Sequence, residues 1–187
     1  MRGELQMNKV YTVLDQDAKQ SGSLSLVICE NFAELNGVMC FNSLEKNASY
    51  LNLPSPSSFG FQYFKNQLPV TEIYPVAVLN NLEINYKNRK TGLGRKAVRA
   101  FRVIAEEYKA RLGLLRIGTT GTGDEDYEGA LKWRIRFYES EGWRCFKTPP
   151  IRGLVLVWMY HLLPPLLPEE RASKNYLLAI PLNEELI

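Results

Sequence analysis

Residues 75–101 read PVAVLNNLEINYKNRKTGLGRKAVRAF. The first twelve, 75–86, are mostly apolar and rich in β-branched residues, which predicts a long strand. From Leu93 onward the spacing changes. Leu93, Ala97, Phe101, Ile104, Tyr108 and Leu112 recur every three or four residues, which predicts an amphipathic helix that Gly113 ends as a C-cap. Between the two lies NYKNRKTGLGRK, residues 85–96, with two glycines, five lysines or arginines and no acid. A strand, a basic glycine turn and a helix follow one another within thirty residues.

Working downstream, residues 114–118 (LLRIG) predict a further strand, and GTTGTGDEDYEG predicts turns. A second amphipathic helix over about 128–141 carries Ala130, Trp133, Phe137 and Tyr138 on neighbouring turns, and Gly142 stops it. Residues 143–147 and 153–162 predict a strand pair around Pro149-Pro150. Upstream, 8–16 and 23–30 predict strands. Residues 37–44 (GVMCFNSL) predict a third, as the second arm of an antiparallel hairpin. Residues 45–74, with the serine cluster PSPSS and aromatics at Phe59, Phe61, Tyr63 and Phe64, read as an insertion whose rings cover the core. The order predicts one α/β (α+β mixed) domain over 1–163, with a central mixed sheet flanked by helices. The proline-rich tail, 164–187, is expected to pack on the domain or extend it.

Composition narrows the function. Apolar residues make up 45% of the 187 and charged residues 23%, ordinary values for a globular chain. The net charge of +3 is mild but unevenly placed: Lys87, Arg89, Lys90, Arg95, Lys96, Arg99 and Arg102 form a run without an acid. With His161 as the sole histidine, histidine triads and multi-histidine metal sites are disfavoured, and no metal is expected. Cys29, Cys40 and Cys145 are an odd number without metal spacing, which suits a reducing, cytoplasmic setting. The start, Met1-Arg2-Gly3-Glu4, has no apolar stretch behind it. Leu154–Leu163 is too short to span a bilayer, so neither signal peptide nor membrane is expected.

The basic turn is the candidate site. Unpaired N–H groups and the positive dipole end at the start of a helix favour phosphate, and glycine lets a ligand approach the backbone. A solvated basic turn fits the same composition. The P-loop pattern G-x-x-x-x-G-K-[ST] is absent. The dinucleotide pattern G-x-G-x-x-G/A is formally met by Gly92, Gly94 and Ala97. However, the polar stretch 87–91 separates strand from glycines, and no acid ends the following strand.

A third pattern fits better. Leu82-Glu83-Ile84 followed by Arg89-Lys90-Thr91-Gly92-Leu93-Gly94 resembles the L-x-V strand end and R/Q-x-x-G-x-G/A loop of the GNAT N-acetyltransferase family. Downstream, FYESEGW at 137–143 is similar to that family's FYExxGF. The resemblance covers roughly 75–162. It implies a mostly antiparallel mixed sheet splayed between the fourth and fifth strands, with a bulge in the fourth opening the slot. It also implies acetyl-CoA as co-substrate. The backbone of Arg89, Lys90, Thr91, Gly92, Leu93, Gly94 and Arg95 would cradle the pyrophosphate, and Leu82, Glu83 and Ile84 would hold the pantetheine arm. Tyr138 would be the general acid to the leaving thiolate, and Glu83 is the candidate base for the acceptor amine. Glu83 equally fits a solvent-facing strand carboxylate. Asp124, Glu125 and Asp126 form a second acidic cluster, read as a solvated turn.

Two departures stand out. The family's Asn and Ala ahead of the tyrosine are Leu131 and Arg134 here, and its two N-terminal helices are not evident in the sequence. The reading is an acyl-CoA-dependent N-acetyltransferase acting on an amine, as a monomer or homodimer. YPVAVLNNLEI is loosely similar to a stretch of the acetyltransferase toxins that act on aminoacyl-tRNA, which gives one alternative. A non-catalytic CoA-binding or partner-binding module is the other.

Overall fold

The computed structural model describes residues 7–39, 64–118, 127–147 and 156–179. Among the described residues, seven strands form one sheet. They are β1 (Met7–Leu14), β2 (Gln20–Cys29), β3 (Val76–Ile84), β4 (Leu112–Gly118), β5 (Arg144–Cys145), β6 (Leu156–Leu162) and β7 (Leu177–Ala179), in the order β5-β6-β4-β3-β2-β1-β7. Every described pairing is antiparallel except β3 with β4. The class is therefore the mixed, mostly antiparallel α/β sheet that the sequence implied.

Alternation sorts the side chains onto two faces. Leu24, Leu26 and Ile28 of β2, Ala77 and Leu79 of β3, and Leu115 and Ile117 of β4 share one core with α2 (Leu93–Glu107). Val27 and Cys29, Val76 and Val78, and Leu112 and Leu114 face the opposite core, which α1 (Phe32–Met39) covers with Leu35 and Met39. Strands buried on both faces read as continuous apolar runs, and 76–79 and 112–115 are such runs. Leu131, Ile135, Phe137 and Tyr138 of α3 (Tyr127–Ser140) pack against the α2 side.

Two expectations need correction. The predicted third strand, 37–44, is helical as far as Met39, and its remainder lies outside the described residues. The cause is a reciprocal cap. The Glu34 N–H donates to Asn31 Oδ1 (3.1 Å), and Glu34 carboxylate oxygens accept from the Glu30 N–H (2.8 Å) and from Asn31 Nδ2 (2.7 Å). An Asn three residues before a Glu is a helix-start signal, and here it outweighs the strand propensity of Val38. The expected fourth and fifth strands are thus β3 and β4, and among the described residues α1 lies between β2 and β3.

The second correction concerns Gly113. The helix stops earlier, at Glu107, through Lys109 in the left-handed region (φ 59°). The Ala110 N–H reaches Ala105 O (3.0 Å) and the Lys109 N–H reaches Glu106 O (2.8 Å), which is a Schellman closure without glycine. Gly113 lies inside β4. Its missing Cβ leaves room for Phe101 and Trp143, each of which would come within 3.3 Å. Gly142 ends α3 as expected, at φ 89°, and its absent Cβ also makes space for His161 Nε2 at 2.8 Å. Burial lowers the pKa of His161, so the ring is neutral at neutral pH.

The described tail runs along α2. Arg102 pairs with Glu170 (2.6 Å), Arg171 with Glu106 (2.7 Å) and Lys174 with Glu107, across α4 (Pro168–Arg171) and the turn after it. β7 then pairs with β1, placing Val13 opposite Leu177. From the insertion, Phe64 is buried against Phe146 (4.8 Å) and Trp158 (5.5 Å), a core-covering role as expected. Phe59, Phe61, Tyr63, Cys40, the Asp124–Asp126 cluster and Pro149-Pro150 lie outside the described residues.

One glycine fixes the β2–β3 register. A Cβ on Gly22 would stand 2.1 Å from the Glu83 carbonyl oxygen. Gly22→Ala forces backbone apart from backbone, and the expected cost is about 3 kcal/mol or more, at the upper end for overpacking. For a chain of this size that lowers the melting temperature by about 6–12 °C. An unchanged melt of the variant would mean that β2 and β3 have slack at this point.

Candidate functional site

The site begins where β3 changes character. Ser25 pairs with Asn81 and Leu26 with Leu79, so Asn80 is an extra residue, a bulge. The insertion shifts the alternation by one. Ala77 and Leu79 face the α2 side before it, and Leu82 and Ile84 face the same side after it. Glu83 therefore points the other way and is exposed. The bulge also ends the parallel pairing. β3 and β4 are paired from Val76/Leu112 to Leu79/Leu115 and no further, while Arg116, Ile117 and Gly118 pair with β6 alone. The splay implied by the resemblance is present, between these two strands.

The basic turn follows the splayed end of β3 and is tied to the β1–β2 turn. The Asn85 N–H donates to Ser21 O (2.8 Å), and Asn88 Nδ2 donates to the buried Ser21 Oγ (2.6 Å). The Ser21 hydroxyl in turn donates to Asp15 Oδ2 (3.1 Å). Thr91 Oγ1 donates to Asn88 O (2.7 Å), and Arg89 Nε to Ile84 O (3.4 Å), with the Arg89 guanidinium 5.6 Å over the Tyr86 ring. Sequence reasoning did not find Ser21, Asn85 or Asn88. Their neighbours in the chain carry no signal, because Ser21 is distant in sequence from both asparagines.

Asp15 sets a pH limit on this anchor. The Lys19 and Asp17 N–H groups and the Ser21 hydroxyl hold its carboxyl below the usual carboxylate range. A depressed folded pKa gives stability that is present above the unfolded value, about 3.9, and is lost as pH falls through the folded value. Melting temperatures measured from pH 6 downward should therefore drop below about pH 4 in the wild type. The drop should be smaller in Asp15→Ala. Parallel curves would show that the carboxylate does not anchor the turn.

Gly92 is the N-cap of α2 at φ 85°, ψ −4°, and a Cβ there would meet nothing within 4 Å. The first i to i−4 bond of the helix is from the Lys96 N–H to Gly92 O (3.2 Å). The N–H groups of Leu93, Gly94 and Arg95 precede it and point out of the helix start. Gly94 serves packing: a Cβ would lie 3.4 Å from Phe137 Cζ and 3.9 Å from Ile84 Cγ1. The two sequence motifs meet at this glycine.

The side chain of Arg95 is engaged elsewhere. Its Nε lies 3.5 Å from Glu141 Oε1, and Arg99 Nε lies 3.0 Å from Glu141 Oε2. The Glu141 side chain is only 5% exposed, so this triad clamps α2 to the end of α3. Tyr138, two helical residues earlier, is half-buried. Its ring makes edge contacts with Phe137 (5.0 Å) and Trp143 (6.0 Å). Burial pushes its phenol up to about 12, with Arg134 pulling slightly the other way.

Among the described residues, no cluster of three or more His, Cys, Asp or Glu could hold a metal ion, and no helix is long and apolar enough to cross a membrane. No family model matches the chain, and no curated protein matches it. Solved structures with a similar course of the chain include acetyltransferases. An acetyltransferase of the GNAT family from Staphylococcus aureus is 12% identical, at a TM-score of 0.46, over 84% of this chain and 69% of its own. Nourseothricin acetyltransferase is 12% identical at 0.46, over 84% and 66%. An acetyltransferase from Bacillus cereus is 12% identical at 0.45, over 84% and 74%. Likenesses of this size carry no residue role to this chain.

Proposed function

We propose that this chain is an acyl-CoA-dependent N-acetyltransferase that moves an acetyl group from acetyl-CoA to an amine. The observation that carries the reading is the bulge at Asn80. It opens β3 from β4 immediately before a glycine turn whose helix start has outward N–H groups. The residues fit the co-substrate: open space above Gly92 leaves room for a diphosphate close to the backbone. The end of β3 that β4 no longer covers, Leu82 to Ile84, stays paired with β2 on one side and offers its other edge for strand-like hydrogen bonding to the pantetheine amides.

Bound there, the thioester supplies an activated acyl group, and the remaining work falls to the chain. Leu93, Gly94 and Arg95 N–H groups and the helix dipole hold the phosphates. Tyr138 stays protonated at neutral pH, because its pKa is about 12, and so can donate to a sulfur gaining charge as a thiolate. Glu83, exposed on the far face of β3, is the proposed base, taking a proton from an incoming amine directly or through water. Direct transfer needs no covalent enzyme intermediate, so Cys29 and Cys145, neither of them in a disulfide among the described residues, have no assigned step.

The aminoacyl-tRNA alternative drew on basic residues of both helices. On α2, Arg95 and Arg99 share Glu141, and Arg102 is held by Glu170, which lowers the charge that helix offers to a polyanion. A thermal melt with acetyl-CoA, CoA and NADP side by side tests the main reading. A ligand at about 100 times its dissociation constant stabilises by about 2.7 kcal/mol, a shift on the order of 5–10 °C for this size. A shift with the CoA species alone is the expected result. A shift with NADP alone, or with none of the three, would overturn the reading.

A further inference from the structure

Trp133 was expected on the apolar side of its helix, yet it is 65% exposed. It is not loose. Its ring lies 5.8 Å from that of Phe137 and within 13° of parallel, as residues four apart on a helix allow. Phe137 in turn closes over Gly94 at the start of α2. The two rings form an apolar step that leads from the helix start out to solvent, with the outer face of the indole uncovered. Lys132 and Arg136, also four residues apart and both exposed, line the neighbouring ridge. Trp143 and Trp158 are buried at 2% and 0%, so the exposure of Trp133 is particular to this position.

A rigid, flat, uncovered π face beside cations is what a nucleobase stacks on, and such stacking tolerates any base-like ring. We propose that Trp133 is the seat of the purine base of the coenzyme, with Lys132 and Arg136 beside it for the phosphate on the ribose. The inference rests on the CoA reading above. Its geometry is consistent with that reading: one ring, Phe137, intervenes between Gly94 and Trp133, as one ribose intervenes between base and diphosphate in a nucleotide. The stack would give the chain a handle on the nucleotide half of the molecule that is independent of the pantetheine slot.

The test uses the full chain, isothermal titration and two probes, CoA and 4′-phosphopantetheine, which lacks the base. Trp133→Ala should weaken CoA by about 5- to 150-fold, the range for one lost base stack. It should leave 4′-phosphopantetheine unchanged, and Trp133→Phe should retain most of the CoA affinity. Wild-type tryptophan emission should be quenched by CoA, and the quench should vanish in Trp133→Phe, which keeps only the two buried indoles. Equal CoA affinity in wild type and Trp133→Ala overturns the base seat alone. Equal loss of both probes overturns it by pointing to a damaged α3. Quenching by a single-stranded oligonucleotide and not by CoA overturns it in favour of nucleic acid. A wild type that binds neither probe removes this inference together with the CoA reading.

Discussion

Tyr138→Phe is expected to lower kcat by about 10²- to 10⁴-fold, the usual contribution of a positioned proton donor. The dissociation constant of acetyl-CoA should stay nearly unchanged. The substitution removes one oxygen and keeps the ring, so the edge contacts with Phe137 and Trp143 survive. The phenol's pKa of about 12 adds a second expectation. Its proton is not lost between pH 6 and about 10, so any alkaline fall in rate within that window belongs to another group. Thiol release, followed over that pH range in both proteins, reads both points. Unchanged turnover in the variant would remove Tyr138 from the mechanism.

Gly92→Asp is expected to weaken CoA by about 10²- to 10³-fold without unfolding the chain. A carboxylate about 4 Å from a phosphate charge repels it by about 4 kcal/mol at an effective dielectric constant of 20. Stability should hold for two reasons. Asp is among the residues that tolerate the left-handed conformation found at Gly92, and it is a good N-cap beside the positive end of α2. Gly92→Asn controls for size and conformation without charge and should keep much of the affinity. Titration of both variants alongside their melts separates binding from folding. Retained affinity in Gly92→Asp would sink the phosphate-cradle assignment, whatever else the fold does.

Much of this site was legible because it is local. In β3, the glycine turn and α2 the apolar period changes from two to nearly four, and backbone geometry alone imposes that change. The stop of α3 at Gly142 was legible for the same reason, since glycine adopts φ 89° with the least strain of any residue. α1 carried a readable signal as well, Asn31 and Glu34 at capping distance, but the apolar run behind them favoured a strand. Gly113 misled, because a glycine needed for close packing and a glycine needed for a helix stop look the same in a sequence.

Read alone, the chain therefore established the order of elements around the turn, the glycines within it and the FYESEGW motif that holds Tyr138. Only the tertiary structure decided the rest. It showed that Glu141 and Glu170 engage three arginines of the basic run, that Ser21 anchors the turn from another strand, and that Asn80 is the residue at which β3 leaves β4. It also turned Trp133 outward. The physical reason is one of range. Dihedral preferences and periodicity act between neighbours in the chain, whereas charge pairing, register and burial depend on which distant residues arrive at the same place.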